Sequence, residues 1–219
     1  GGNAPGFDVV VGNPPWDKTK FSDTDFFPQY HSNYRSLKNS EKSAVQQRLL
    51  GSKHIAAAYQ SAQRDAEVAN HYYKAAYPLN KGTGDTNLFR LFVERNLGLV
   101  ASGGSLNYVL PSALMFEEGS LGLRQYIFTQ AQLRFFYSFE NRNGLFLDVD
   151  SRYKFALMQV LNTPPEADLA PIDTAFYVLD AAELERPETH VPYPLATVKV
   201  LSPQHWSLME LRDGSDLPI

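Results

Sequence analysis

The sequence predicts an α/β fold. Short β-branched apolar runs alternate with longer stretches of helical periodicity, and the turn residues fall between them. Three segments carry this reading. Phe7-Asp8-Val9-Val10-Val11 ends at Gly12 and reads as a buried, parallel strand. Lys53 to Ala76 spaces Ile55, Tyr59, Ala62, Ala66, Ala69 and Tyr73 three or four apart, one face of a helix. Ser105 to Leu110 is a second strand, entered through Gly103-Gly104 and stopped by Pro111.

The remaining elements follow in order. Asn87 to Ala101 sets Leu88, Leu91, Phe92 and Leu99 on one helical face, and Leu121 to Gln130 is a shorter helix. Leu133 to Phe139 and Phe155 to Leu161 read as an antiparallel pair joined by the turn-rich stretch Glu140 to Ser151. Asn162 to Ala170, with Pro164-Pro165, reads as a linker, and Ala175 to Leu179 as one further strand before a polar end. There are no internal repeats.

Composition bounds the function. The 219 residues make one domain, or two, and include no cysteine, which removes disulfides, thiolate zinc sites and cysteine nucleophiles. With 43% apolar and 20% charged residues the chain is globular. No apolar run reaches the ~18 residues of a membrane span, so no membrane partner is expected. The five histidines lack metal-ligand spacing, Asp148-x-Asp150 reads as a solvated turn, and Gly82-Thr83-Gly84 as a loop; no metal site is expected. No P-loop, Ser-His-Asp arrangement or restriction-nuclease motif is evident.

The net charge of −4 conceals an asymmetry. Residues 17–81 carry ten Lys/Arg against six Asp/Glu, whereas residues 160–219 carry three against ten. The basic stretch interleaves Tyr30, His31, Tyr34, Arg35 and Lys38, a composition suited to an anionic partner, with a structural helical pair as the alternative. Arg35, Lys38 and Lys42 are the candidate contacts to a nucleic-acid backbone.

The sharpest chemical signal is Asn13-Pro14-Pro15-Trp16, set directly after the first strand. Ligands of open α/β sheets bind at the carboxyl ends of strands. Two prolines in a row stiffen the loop and offer carbonyl acceptors with almost no donors. Asn13 adds a side-chain carbonyl, and Trp16 a flat aromatic face. Two acceptors beside a stacking platform suit a planar group bearing an NH2: hydrogen bonds from the amine draw its lone pair out of conjugation, toward attack on an electrophilic carbon. Stacking a base on an aromatic ring is worth roughly 1–3 kcal/mol, enough to offset much of the few kcal/mol needed to extrude it from a duplex. The competing reading is a proline-stiffened turn with a buried tryptophan.

Phe7 to Trp16 resembles the catalytic motif of adenine-N6 DNA methyltransferases. Asp85-Thr86-Asn87-Leu88-Phe89-Arg90-Leu91-Phe92 resembles the start of that family's next helix. Gly103-Gly104-Ser105-Leu106-Asn107-Tyr108-Val109-Leu110-Pro111-Ser112 resembles its following Gly-Gly, strand and Pro-Ser segment. Gly144-Leu145-Phe146-Leu147-Asp148-Val149 with Arg152-Tyr153-Lys154-Phe155 resembles its late motif. The match runs from about Phe7 to Leu161 and is nearest to the large methylases of bacterial restriction–modification and phage-exclusion systems.

The resemblance implies a partial Rossmann-like methyltransferase sheet, holding roughly the last four strands of seven with the final one antiparallel, and a helical insertion after the first strand. It implies that Asn13 and the Pro14 carbonyl hold the adenine amine, that Trp16 stacks on the flipped base, and that Phe146 contacts its other face. Asn13 and Pro15 would border the methyl donor, S-adenosylmethionine. Trp16 departs from the commoner Tyr or Phe. The implied partners are double-stranded DNA and restriction or defence-system subunits, in a bacterial cytoplasm. Residues 1–161 would form the catalytic-side half of the methyltransferase domain, with 17–81 as its basic insertion. Residues 162–219 would be an acidic extension toward a target-recognition domain. The donor's Gly-rich strand–turn–helix is not found upstream of the catalytic loop, and the chain opens Gly1-Gly2-Asn3 with its earliest Met at 115. The chain alone is therefore expected to be inactive. Two rivals remain: methylation of protein glutamine or RNA, and an inactive DNA-contacting scaffold.

Overall fold

The computed structural model describes residues 6–81, 85–147, 149–165 and 171–217. In chain order the elements are β1 (Phe7–Gly12), α1 (Asp23–Phe26), α2 (Asn39–Leu50), α3 (Lys53–Ala76), α4 (Leu88–Leu97), β2 (Val100–Pro111), α5 (Leu121–Thr129), β3 (Gln132–Glu140), β4 (Lys154–Leu161), β5 (Ile172–Val178), β6 (Val191–Tyr193) and α6 (Leu195–Leu201). They form two compact units, one of residues 1–17 with 77–219, the other of residues 18–76.

The first unit is built on a six-stranded sheet in the order β1-β2-β4-β3-β5-β6. β1 runs parallel to β2, and β3 parallel to β5. β4 is antiparallel to both β2 and β3, between which it is inserted. The expected α/β sheet is present, with an antiparallel strand over Lys154–Leu161, but it has six strands where about four were expected, and the antiparallel strand expected last is followed by β5 and β6. This topology places the carboxyl ends of β1, β2, β3 and β5 and the amino end of β4 along one sheet edge.

Period-2 alternation decides the faces of the sheet. Leu106, Leu110, Phe136, Met158 and Val160 point to one side and are almost wholly buried against Phe89, Val93 and Leu97 of α4 and Leu123 and Ile127 of α5. Gly104 lets β1 and β2 approach: a Cβ there would sit 2.7 Å from the Asp8 carbonyl oxygen. β1 is parallel as expected but not buried: it is the outer strand among the described residues, and its alternate side chains Phe7, Val9 and Val11 are 58–77% exposed because no described element covers that face.

The elements differ from the sequence expectation in three places. The helix expected to reach Ala101 ends at Leu97, and by Val100 the chain already pairs with Phe7; the helical spacing of Leu99 is overridden by the sheet. The strand expected at Ala175 to Leu179 starts earlier, at Ile172, and β6 follows it into the same sheet. Their alternating residues Ile172, Thr174, Val191 and Tyr193 are buried, so a segment of acidic overall composition still supplies core. Within the expected linker, Asn162 is fastened to the Val100 carbonyl at 2.7 Å and to the backbone of Gly103 and Gly104; residues 166–170 lie outside the described residues.

The segment after α6 is tied down by Arg124 of α5. This side chain is fully buried, and its guanidinium donates to the carbonyls of His205, Leu114 and Glu117. Burial, with Arg90 nearby, pushes its pKa down to about 10.

The second unit is helical, as expected. α2 and α3 enclose an aromatic core of Phe26, Phe27 and Tyr34 with Phe21 and Tyr59. Tyr59 donates to Asp23 at 2.8 Å, and Gln46 donates to both Asp23 and Tyr34. Burial and the Asp23 carboxylate push the Tyr59 hydroxyl up to about 12. Among the described residues no helix is long and apolar enough to cross a membrane.

Candidate active site at the carboxyl edge of the sheet

β1 delivers the Asn13–Trp16 loop to the edge where strands β1, β2, β3 and β5 all end. Gly12 is its last paired residue, opposite Tyr108. The far end of the loop is also held, because the Leu88 amide at the start of α4 donates to the Asp17 carbonyl at 2.9 Å. A stiff Pro-Pro segment anchored at both ends cannot relax away from its acceptors. Pro14 is buried, Asn13 and Pro15 are exposed, and Trp16 is half-buried.

Trp16 is oriented on two sides. Its indole N–H donates to the Asn13 side-chain carbonyl at 3.0 Å. Its ring lies edge-to-face with Phe146 at 5.4 Å between centroids, and nearly parallel to Tyr153 and Phe155 at 6.3 Å. Phe155 in turn stacks on Phe139 of β3 at 5.1 Å. The proposed pair Trp16 and Phe146 is thus brought together by the fold. The two rings touch, however. A base inserted between two aromatic faces needs about 7 Å, two van der Waals spacings, and that gap is not open here.

Asn141 is the residue that sequence reasoning missed. It is almost fully buried; its amide donates to the carbonyls of Phe146 (2.9 Å) and Val149 (2.8 Å), and its carbonyl accepts from the Phe146 N–H (2.9 Å). Gly144, at φ +67°, makes the turn that this clamp requires. Asn-x-x-Gly at a strand end was the available signal. Tyr153 and Phe155 also face Trp16, a role that their place in the sequence motif does not single out.

The expected backbone-contact residues lie in the helical unit. Arg35 pairs with Asp25 at 2.9 Å and donates to the Thr24 carbonyl; its side chain is 69% exposed. Lys38 caps α2, its N–H donating to Glu41 at 2.8 Å, and Lys42 stands 5.8 Å over the Tyr34 ring. Of the Asp148-x-Asp150 pair, Asp148 lies outside the described residues and Asp150 is engaged by Arg152. Gly82-Thr83-Gly84 also lies outside them.

A methyl donor would need a cradle beside Asn13 and Pro15. Among the described residues the glycines with positive φ are Gly103, within β2, and Gly144, after β3. Neither joins a strand to a following helix, the arrangement that lets a backbone wrap a nucleotide-like ligand. Among the described residues no positive-φ glycine therefore builds such a cradle.

No curated protein sequence matches the chain. Among solved structures, a class I S-adenosylmethionine-dependent methyltransferase from Listeria monocytogenes aligns over 93% of this chain and 43% of its own, at 12% identity and a TM-score of 0.40. The type IIG restriction endonuclease BpuSI aligns over 77% of this chain and 15% of its own, at 15% identity and 0.40. DrdV, in its complex with DNA, aligns over 81% and 15%, at 14% identity and 0.43. The chain thus spans less than half of each of these proteins. Residues 58–146 match the model of the Eco57I restriction-modification methylases, a stretch that begins after the Asn13–Trp16 loop and takes in the segments Asp85–Phe92 and Gly103–Ser112.

Proposed function

We propose that the chain is the base-holding part of an adenine-N6 DNA methyltransferase. The observation that carries this is the loop itself: an exposed Asn13 carbonyl and a proline-stiffened backbone beside a half-buried, oriented Trp16, at the carboxyl edge of a parallel strand. An extruded adenine would stack on Trp16 and donate its amine protons to Asn13 Oδ1 and the Pro14 carbonyl. Asn13 Oδ1 has two lone pairs, so it can accept from the amine while still holding the indole. Both acceptors are fixed before the base arrives, and they favour the tetrahedral amine over the conjugated one. For the base to be gripped from its second side, Phe146 must swing off Trp16.

S-adenosylmethionine is the methyl source that the family implies. Because the described residues build only the Asn13–Pro15 border of its site, donor binding is assigned to further structure. The open edge of β1, with Phe7, Val9 and Val11 exposed, is where an additional parallel strand would pair. Phosphates of the duplex would be met by Arg35, Lys38 and Lys42 of the helical unit.

The base-holding role is tested by binding of this chain to two duplexes, one with a paired adenine and one with a mismatched adenine. A mismatched base is easier to extrude, so it should bind more tightly, and Trp16→Ala should erase the difference. Equal binding of the two duplexes by the wild-type chain would refute the role. Calorimetry with S-adenosylmethionine should show weak or no binding; micromolar affinity would overturn the assignment of the donor site to further structure. Methylation assays on DNA, RNA and a glutamine peptide, with the protein that contains this chain, separate the substrate classes. Lys38→Glu with Lys42→Glu should flatten the salt dependence of DNA binding.

A further inference from the structure

The segment between β3 and β4, which supplies Phe146 to the aromatic site, also holds apolar side chains out to solvent. Leu147 is 93% exposed, more than any other large apolar side chain among the described residues. Leu145 and Tyr153, in the same segment, are 48% and 49% exposed. Phe146 turns inward: its ring lies edge-to-face with Phe155 at 4.8 Å and with Trp16 at 5.4 Å. Leu147, the next residue, turns outward. Gly144 offers it no side chain to pack on; a Cβ there would meet Leu147 Cδ2 at 3.9 Å, an ordinary contact.

The segment is fixed in this pose. The Asn141 N–H donates to the Tyr153 carbonyl at 3.1 Å, and the Asn141 side chain grips the backbone of Phe146 and the carbonyl of Val149. The Val149 N–H in turn donates to the Phe146 carbonyl at 3.2 Å. Leu147 is therefore bracketed on both sides by hydrogen-bonded backbone. A loose loop would fold a leucine back onto the protein, because burying its apolar surface is favourable. Here the bracket forbids it, and the free chain forgoes that gain beside the half-buried Trp16.

We propose that Leu147 is a wedge that enters the duplex at the place the extruded adenine leaves, an inference that rests on the base-holding role above. A base that reaches Trp16 moves inward from solvent, so the duplex it leaves lies on the solvent side of this segment. That is the side on which Leu147 stands exposed. Extrusion opens a gap in the stack, and leucine is among the apolar side chains that proteins insert between base steps. Filling the gap offsets part of the cost of unstacking and hinders the return of the base. Consecutive Cα atoms are about 3.8 Å apart, so the residue that contacts the base and the one that takes its vacated place are set by the same Asn141 clamp.

The test compares binding of this chain to a matched duplex, a mismatched-adenine duplex and a duplex with one abasic site. The abasic duplex has the gap but no base for Trp16, so it reads the wedge alone. The wild-type chain should bind it about tenfold more tightly than the matched duplex. Leu147→Ala and Leu147→Asn should abolish that preference, and Leu147→Met, which keeps the apolar bulk, should retain it. Urea midpoints of the three variants should equal that of the wild-type chain, because the side chain is almost wholly exposed. No abasic preference in the wild-type chain, or one that survives Leu147→Ala, overturns the wedge. An equal loss on all three duplexes makes Leu147 an ordinary contact and overturns it too. So does self-association of the wild-type chain that Leu147→Ala abolishes, which would assign the leucine to a second copy. If the abasic preference depends on Leu147 while Trp16→Ala leaves the mismatch preference intact, the wedge stands and the base-holding role fails. The reverse pattern keeps the base-holding role and removes the wedge.

Discussion

The indole N–H of Trp16 donates to the side-chain carbonyl of Asn13, three residues earlier in the same loop. The bond aims the acceptor that the amine would use and sets the plane of the ring on which the base would stack. A Tyr or Phe at this position has no N–H to do so. Trp16→Phe should therefore keep stacking but let Asn13 rotate. The expected loss is that of one hydrogen bond, about 1 kcal/mol, or roughly fivefold weaker binding of a mismatched-adenine duplex. Trp16→Ala should cost a further ~1–3 kcal/mol of stacking. Tighter binding by Trp16→Phe would mean that the indole competes with the base for Asn13.

Asn141 makes three hydrogen bonds from a buried side chain, two of them to the backbone of Phe146. Asn141→Ala leaves those backbone groups unpaired and should destabilise the chain by about 3 kcal/mol. Urea unfolding measures this. Near-UV circular dichroism should also change, because Phe146 then loses its fixed edge-to-face position on Trp16.

Arg124 anchors residues beyond α6 to the sheet unit through the His205 carbonyl. Lysine keeps the charge but has no planar fork, so Arg124→Lys cannot satisfy the three carbonyls at once. The expected loss is at least about 2 kcal/mol, with faster proteolysis near residues 202–211. An unchanged cleavage rate would show that this segment is held by Val198 and Leu208 packing alone.

His190 joins the segment after β5 to the sheet. Its Nε2 meets the Leu184 carbonyl at 2.8 Å and its Nδ1 meets Asp173 at 2.8 Å, so both nitrogens face acceptors. Tyr137 donates to the same Asp173 carboxylate. The hydrogen bond to Leu184, aided by Asp173, raises the pKa of His190 above its ordinary 6.5. A raised folded-state pKa contributes stability that is fully present below the unfolded value, about 6.5, and lost as pH rises through the folded value. Urea midpoints should thus fall on going upward from about pH 6.5. His190→Gln should flatten that part of the profile.

Strand, helix and motif were legible where the signal is local. Phe7–Val11 announces a strand by β-branching, Lys53–Ala76 a helix by its period, and Asn13–Trp16 a functional loop by backbone chemistry that two prolines impose. Leu99 misled because its spacing suits a helix, while pairing of Val100 with Phe7 decides the outcome. Ile172 and Val191 were passed over because their segment is acidic on average; only the sheet shows that alternate residues are buried.

What the sequence determined by itself was the α/β class, the order of its main elements and the loop that carries the chemistry, since each rests on propensity and short-range spacing. What the tertiary structure decided was which distant side chains share the edge with that loop. Phe146, Tyr153 and Phe155 meet Trp16, and Asn141 braces Phe146, because β4 inserts antiparallel between β2 and β3, bringing residues more than 120 positions away to the loop. Strand order is a global property of how apolar faces are covered, and no local pattern in the chain encodes it.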